Sequence, residues 1–527
     1  MKKIIVGMQS LDKIVCGANK LCDAVKLTLG PKGKNVAIDR KYTYPIITND
    51  GVTIAKEIVL SDEFENVGAS SIKQASIKSN DVAGDGTTTA TILATSILTN
   101  GAKQISRGAN AVMLKKGITK ACQIITNDLA KLAKSVESKE DIFNIASISA
   151  GNTEIGNIIT QAFEIVGKDG VITVEDGKTC KTELKVTQGL EFDRGYISPY
   201  MITDTQKMVA NLSNPLILVT DEKITNINQI IHILEAVNSS GTPLLIIAED
   251  YDTEVINTLV VNKLRGNLNV VCVKSPAFAD KKQALLMDIC TIANANIISQ
   301  SVGKTLSTCS LDDLGRATSV VVSKDCTIIS GGKGNEEKIN ERAKSIKEQI
   351  TLADSDFDKE NLRNRLAKLT TGIAVIQVGS NTELEMQELK LRIEDAIEAT
   401  KSATEEGIVP GGGIAYLLTL DSLDNLLNSL ADDEKLGAQI VKQAIVEPIK
   451  IIAQNAGISG DVVLEKVLSL HTTDKEMGYD ALNDTYVNMY SAGIIDPKKV
   501  TRSAIENACS VAGTLLTTEC IIVDEEK

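Results

Sequence analysis

Three unbroken apolar runs, Leu216-Ile217-Leu218-Val219, Leu244-Leu245-Ile246-Ile247-Ala248 and Val270-Val271-Cys272-Val273, alternate with helix-like segments from Asn226 to Val237 and from Thr253 to Leu264. A strand that is apolar on both faces needs cover on both faces, and alternation with helices supplies it around a parallel sheet. Residues 188–373 are therefore expected to form a compact α/β domain. They cannot be the whole fold, because the chain has 527 residues and a single core stops growing near ~300, so about three domains are expected. The first ~130 and last ~120 residues carry helical periodicity, as from Thr88 to Ile105, where Ile92, Leu93, Ile97 and Leu98 share one side. Between these flanks and the centre lie short strands bounded by glycines, Gly170 to Gly177 and Gly372 to Gly379, which predict a small connecting domain interrupted by the central one.

Composition narrows the function. Fifty-six basic against 69 acidic side chains leave a net charge of −13, which disfavours nucleic acid or an acidic membrane as the main partner. Aromatics are 3% and Trp is absent, so there is little with which to stack bases or cage a cation. His232 and His471 are the only histidines, too few for a His-rich metal site and more in keeping with structural roles. Ten cysteines include no Cys-x-x-Cys pair and sit mostly in apolar runs, as reduced thiols of a cytosol-like compartment do. The apolar start of the chain ends at Gln9 and Ser10, short of a signal peptide, and no run of ~18 apolar residues suggests a membrane span. A cytoplasmic protein is expected.

The most informative motif is Ala83-Gly84-Asp85-Gly86-Thr87-Thr88-Thr89-Ala90, because it opens the Thr88 to Ile105 helix. Glycines admit close backbone approach, N–H groups at a helix start attract an oxyanion, and three hydroxyls add donors. Asp85 adds a hard oxygen of the kind Mg²⁺ takes when it bridges phosphates. The same residues also read as a plain helix cap. Thr28-Leu29-Gly30-Pro31-Lys32-Gly33 is a second glycine turn and Pro410-Gly411-Gly412-Gly413 a third. Asp50 and Asp395 are candidate carboxylates for orienting a water or holding a metal, although on periodicity alone Asp395 reads first as a charge on a solvated helix face. A Walker-type Gly-x-x-x-x-Gly-Lys-Ser/Thr is absent.

In this order the segments Thr28 to Asn35, Asn80 to Ala90, Val171 to Asp176, Phe192 to Tyr200, Leu244 to Asp250, Arg392 to Ala396, Glu405 to Gly413 and Asp496 to Ser503 closely resemble the group I chaperonins, the GroEL family. The resemblance spans nearly the whole chain. It implies a multidomain α/β and mainly α subunit, with a helical equatorial ATPase domain from 1–131 and 406–527. It implies a small α+β intermediate domain from 132–187 and 374–405, and an α/β apical domain from 188–373.

Carried across residue by residue, the resemblance implies an ATP site built from Thr28, Leu29, Gly30, Pro31, Asn49, Asp85, Gly86, Thr87, Thr88, Thr89, Gly412, Asp480, Ala481, Leu482 and Asp496. Asp85 would hold Mg²⁺, Thr28 is the candidate for K⁺, and Asp395 with Asp50 would position the hydrolytic water. Client chains would meet Tyr196, Tyr200, Met201, Ile231, Leu234, Ile256, Val260 and Val261. The aliphatic residues of the two helices spread beyond a single core stripe, so some should be exposed or meet another surface, while for any one of them taken alone core packing is the better reading. The implied partners are non-native polypeptides, a GroES-like lid, and further copies forming a heptameric ring, with two rings stacked.

The sequence departs from the family pattern at named places. Asn49 replaces a lysine beside the catalytic aspartate. Asp480 and Leu482 replace Asn and Ala at the adenine pocket, Glu137 replaces a hinge proline, and Ala277 and Ala279 replace glycines around Phe278. The sequence closes on Asp524-Glu525-Glu526-Lys527 rather than a Gly-Gly-Met tail. Lys450 keeps a basic residue expected between rings, but Ser459 stands where its acid belongs, so weaker ring stacking is expected. Two rival readings stay open: a chaperonin-fold holdase with weak or lost ATP hydrolysis, and an unrelated phosphotransferase using the Gly84 to Thr89 loop.

Overall fold

A computed structural model describes residues 2–524 except 40–44, 137, 168–169, 178, 180, 206, 277–279, 353–354, 356–358, 360–361, 363–364, 367 and 371. Glu137, Cys180, Ala277, Phe278, Ala279 and the last three residues thus lie outside the described residues. The chain divides into two compact units. The first comprises Met1–Gln161, Asp176–Thr182 and Val378–Lys527, and the second Ala162–Glu175 and Glu183–Gln377.

The first unit is mainly helical. Its core is a continuous apolar cluster drawn from the helices Met8–Val25, Glu63–Ala83, Thr87–Ser106, Ala111–Leu132, Asp432–Ala444 and Lys498–Leu515. The expected stripe is there: Ile92, Leu93, Ile97 and Leu98 are all buried, and each such side chain contributes ~1.5–3 kcal/mol on leaving water. Lys2–Val6 pairs antiparallel with Cys520–Asp524, register Lys2 to Asp524, so sequence extremes share one sheet.

The second unit holds the expected parallel sheet. Leu216–Val219, Leu244–Ala248 and Val270–Lys274 run parallel in neighbouring positions, and a short antiparallel strand, Gly315–Arg316, closes the other edge. All residues of Leu216–Val219 and Leu244–Ala248 are buried, as two-sided cover demands. The Thr253–Leu264 helix has the bounds that periodicity gives. The first helical segment is displaced: a short 3₁₀ turn occupies Ile227–Gln229, and the α-helix runs Ile231–Ser240. Asn226 caps the turn, accepting from the Asn228 N–H at 2.9 Å.

Asp288, 2% exposed, is the charged pivot of this unit. It accepts from Arg342 Nε at 2.7 Å and from Arg365 Nη2 at 2.7 Å. Removing one member of such a buried cluster strands charge in a low dielectric. Asp288→Ala is expected to cost about 3–5 kcal/mol, read as a lower denaturant midpoint with an unchanged slope.

Both histidines serve the fold. His232 Nε2 lies 2.8 Å from the Cys309 carbonyl and His471 Nε2 lies 2.8 Å from the Met477 carbonyl. The nine described cysteines are free, and among the described residues no helix is long and apolar enough to cross a membrane.

Candidate functional site

The Glu63–Ala83 helix ends at Gly84, whose φ of 69° is left-handed, and the next helix, Thr87–Ser106, begins after Gly86 at φ 78°. Two left-handed glycines around Asp85 turn the chain sharply. Gly86 caps the new helix without any side-chain acceptor, so the first N–H groups of a 20-residue helix remain available for an anion. Thr87 and Thr88 are buried beside them.

Other segments converge on this loop. Thr28, which hydrogen-bonds the Val25 carbonyl at 2.9 Å, places its hydroxyl 3.2 Å from that of Thr88. Asn455, from the Glu447–Asn455 helix, holds the Thr28 turn by donating to the Lys26 and Leu29 carbonyls, both at 2.9 Å. Asp50 caps the Gly51–Glu57 helix, accepting from the N–H groups of Val52 at 3.0 Å and Thr53 at 2.9 Å and from the Thr53 hydroxyl at 2.6 Å. Gly51 sits so close to the loop that a Cβ there would lie 2.4 Å from Thr88 Oγ1. The carboxyl of Asp50 is thereby fixed beside the loop.

Asp496 comes from the far end of the sequence. It lies on the Ile495–Pro497 strand, opposite Val409 of the Ile408–Pro410 strand, and its carboxylate stands against the glycine turn, where a Cβ on Gly411 would fall 3.1 Å from Oδ1. Burial first, and then the neighbouring Asp85 carboxylate, push Asp496 up to about 7. Asp85 is pushed up to about 6, again chiefly by burial, with Asp50 adding repulsion against a short bond from the Gly86 N–H. Three carboxyls held this close are a poor arrangement for the protein alone and a good one for a cation. Among the described residues no three Asp, Glu, His or Cys side chains close into a metal cage; Mg²⁺ bound through one carboxylate together with phosphate oxygens and water requires none.

The remaining sequence candidates are placed as follows. Ala481 is buried in a small cluster with Ile414 and Met489, and Met489 reaches within 3.2 Å of where a Gly412 Cβ would be. Asp480 turns its carboxylate on its own loop, accepting from the Leu482 N–H at 2.9 Å and from Asn483 Nδ2 at 2.7 Å, while Leu482 is exposed. Gly30 and Pro31 are exposed, and Leu29 and Asn49 half-buried. Asp395 is half-buried on the Glu383–Glu406 helix. That helix touches the loop directly. Ser402 Oγ donates to the Ala83 carbonyl at 2.9 Å, and a Cβ on Gly84 would fall 2.2 Å from Glu398 Cβ, one helical turn beyond Asp395.

Motif reading missed Asn455, Ser402, Glu398 and Met489. Each acts by packing or by a bond to backbone, and nothing in its local sequence marks that role.

In the second unit, Tyr200, Ile231 and Val261 are exposed, whereas Tyr196, Ile256 and Val260 are half-buried against the core. The expectation that Met201 and Leu234 present apolar surface is corrected: they are 0% and 7% exposed. Leu234 falls on the inward stripe with Ile230, Ile233 and Val237, and Met201 Sδ accepts the Cys272 N–H. Leu264, one turn beyond Val261, is 66% exposed and joins the same face.

A profile described as the TCP-1/cpn60 chaperonin family matches residues 21–526. The chain belongs to the TCP-1/cpn60 chaperonin family. Every site residue named above falls within the matched stretch. Chaperonins as a family act on substrate polypeptides, form oligomeric rings and are typically ATPases, and a chaperone function follows for this chaperonin.

Proposed function

We propose that this is a group I, GroEL-type chaperonin that binds Mg²⁺-ATP, with K⁺, at the Asp85 loop. In this reading it captures non-native chains on the apolar face around Val261 and encloses them under a GroES-like lid in a cytoplasmic seven-membered ring, normally stacked in pairs. The observation that carries the ATP assignment is the meeting of an uncapped helix start with three crowded carboxyls, two of them pushed well above the carboxylate range. A polyphosphate with its divalent cation satisfies both at once.

The roles of the residues follow. Mg²⁺-ATP supplies an activated phosphoryl group whose transfer depends on positioning and charge neutralisation. The N–H groups of Thr87, Thr88 and Thr89, with the hydroxyls of Thr28 and Thr88, bind phosphate oxygens. Asp85 holds the cation. Gly412 and Ala481 line the nucleoside side, and Asp496 accepts from it. Asp50, fixed by its three donors, and Asp395, brought by its helix, orient water for attack. Asn49 brings no positive charge where the family carries lysine, which favours slow turnover and keeps the holdase reading as the second choice. Lys450 is engaged within its own chain by Asp461 at 2.9 Å, so with Ser459 at the position of the acid, ring stacking relies on other contacts.

Aggregation of a denatured protein, followed by light scattering with and without ATP, tests this reading. Val261→Ser is expected to lower capture several-fold at unchanged basal ATPase, because the loss of ~1.5–3 kcal/mol per side chain is repeated around a ring. Leu234→Ser is expected instead to destabilise the second unit by ~2–5 kcal/mol. Full capture by Val261→Ser would remove this face from the mechanism.

A further inference from the structure

The exposed apolar face is built from two segments distant in sequence, the Thr253–Leu264 helix, carrying Val261 and Leu264, and the Pro199–Met201 3₁₀ turn, carrying Tyr200. Three of the bonds that hold the turn and the residues before it bear on this face. Ile197 N–H donates to the Cys272 carbonyl at 3.0 Å, Cys272 N–H donates to Met201 Sδ at 3.3 Å, and Lys263 Nζ donates to the Met201 carbonyl at 2.7 Å. The first two tie the turn to the sheet. Among the bonds of the described residues, the third is the one that ties it to the helix that shares the apolar face.

Lys263 is unusual for a lysine so placed. Among the described residues its ammonium has no carboxylate partner; besides the Met201 carbonyl it reaches the Val270 carbonyl at 3.2 Å and Asn269 Oδ1 at 3.4 Å. Three neutral acceptors, from the turn, the strand and the connection between helix and strand, thus match the three donors of one ammonium.

We propose that Lys263 is a positioning residue for client capture, a clasp that fixes the Pro199–Met201 turn against the Thr253–Leu264 helix so that Tyr200, Val261 and Leu264 present one continuous apolar surface. The inference rests on the client-binding reading above and adds what holds that surface in shape.

The clasp is sensitive to pH. Burial pushes Lys263 down to about 8, so near neutrality it is mostly an ammonium and by about pH 9 mostly an amine, which has two donors for three acceptors. The titratable group that acts on it is the Cys272 thiol on the strand; the strand also carries Lys274, the turn Tyr200, its own helix Glu254, and Arg265 caps that helix. Burial raises Cys272 to about 12 and Tyr251 well above its usual value, so neither becomes charged in that window. Lys274 is paired with Asp250 at 2.7 Å.

Amide hydrogen exchange in the full-length protein, corrected for intrinsic rates, tests the clasp alongside capture of a denatured protein. Lys263→Met is expected to speed exchange at Met201 and Ile202 roughly tenfold or more and to lower capture, with Lys263→Arg restoring both. In the parent, protection at these amides should fall between about pH 7 and 9, and in Lys263→Arg it should not, because guanidinium stays charged. This comparison holds even if the Met variant folds poorly. Parental exchange in Lys263→Met, or protection with no pH dependence in the parent, would overturn the clasp. Tyr200→Ser separates the two readings: full capture by it would overturn the client assignment of this face, while the exchange profile would still decide for or against Lys263.

Discussion

Asp395→Ala is expected to slow ATP hydrolysis about 100-fold or more while nucleotide affinity changes by less than about threefold. The expectation rests on geometry. Asp395 lies one turn from Glu398, and Glu398 and Ser402 are the side chains by which the Glu383–Glu406 helix meets the Gly84 turn. The helix is held at its far end by Glu406, which takes Arg502 at 2.6 Å and Lys498 at 3.0 Å. Removing the Asp395 carboxylate leaves the Glu398, Ser402 and Glu406 contacts of the helix in place and deletes a group that would orient water. Single-turnover rates at saturating ATP, beside nucleotide titrations, give both numbers. Parental turnover would assign the general-base role elsewhere, first to Asp50.

The second large effect concerns Asp85→Asn, which should move stability and binding in opposite directions. Folding raises the affinity of Asp85 and Asp496 for protons, so between about pH 4 and pH 7 these two carboxyls bind more protons in the folded chain than in the unfolded one. Their contribution to the stability of the nucleotide-free protein falls as pH rises through that window. The neutral amide removes one member of the cluster and relieves the repulsion on Asp496. The variant is expected to gain about 1–2 kcal/mol at pH 8, to show a flatter pH profile, and to lose the thermal stabilisation that Mg²⁺-ATP confers on the parent. Melting curves at pH 5 and pH 8, with and without Mg²⁺-ATP, check all three. A variant less stable at pH 8 that still gained stability from nucleotide would show Asp85 to be structural.

The elements were legible where a residue pattern answers to one local cause. Two-sided burial wrote itself as Leu244-Leu245-Ile246-Ile247-Ala248, and the Thr253–Leu264 helix shows its apolar spacing openly. The Gly84 to Thr89 loop was legible because its glycines and hydroxyls are adjacent. What stayed hidden depends on tertiary neighbours. Leu234 and Ile231 are three residues apart on one helix, both aliphatic, yet one is 7% and the other 42% exposed; which faces inward depends on where the helix axis lies. Met201 looks like an exposed neighbour of Tyr200 until the Cys272 N–H is seen to bind its sulfur. Asn455 reads as an ordinary polar residue at a helix end, and only the arrival of the Thr28 turn gives it two carbonyls to hold.

The pairing of Lys2–Val6 with Cys520–Asp524, and the packing of the Lys498–Leu515 helix into the same core as Met8–Val25, bear on how this chain is made. At about 5–20 residues per second a ribosome needs roughly 25–100 s to deliver a chain of this length. For nearly all of that time the Glu63–Ala83, Thr87–Ser106 and Ala111–Leu132 helices lack the Lys498–Leu515 helix that completes their cover. The central α/β unit, whose strands are near neighbours in sequence, can close while synthesis continues; the helical unit must wait for its last segment. A chaperonin thus passes through a long nascent stage with apolar surface exposed, and newly made copies should be among the chains that this chaperonin protects.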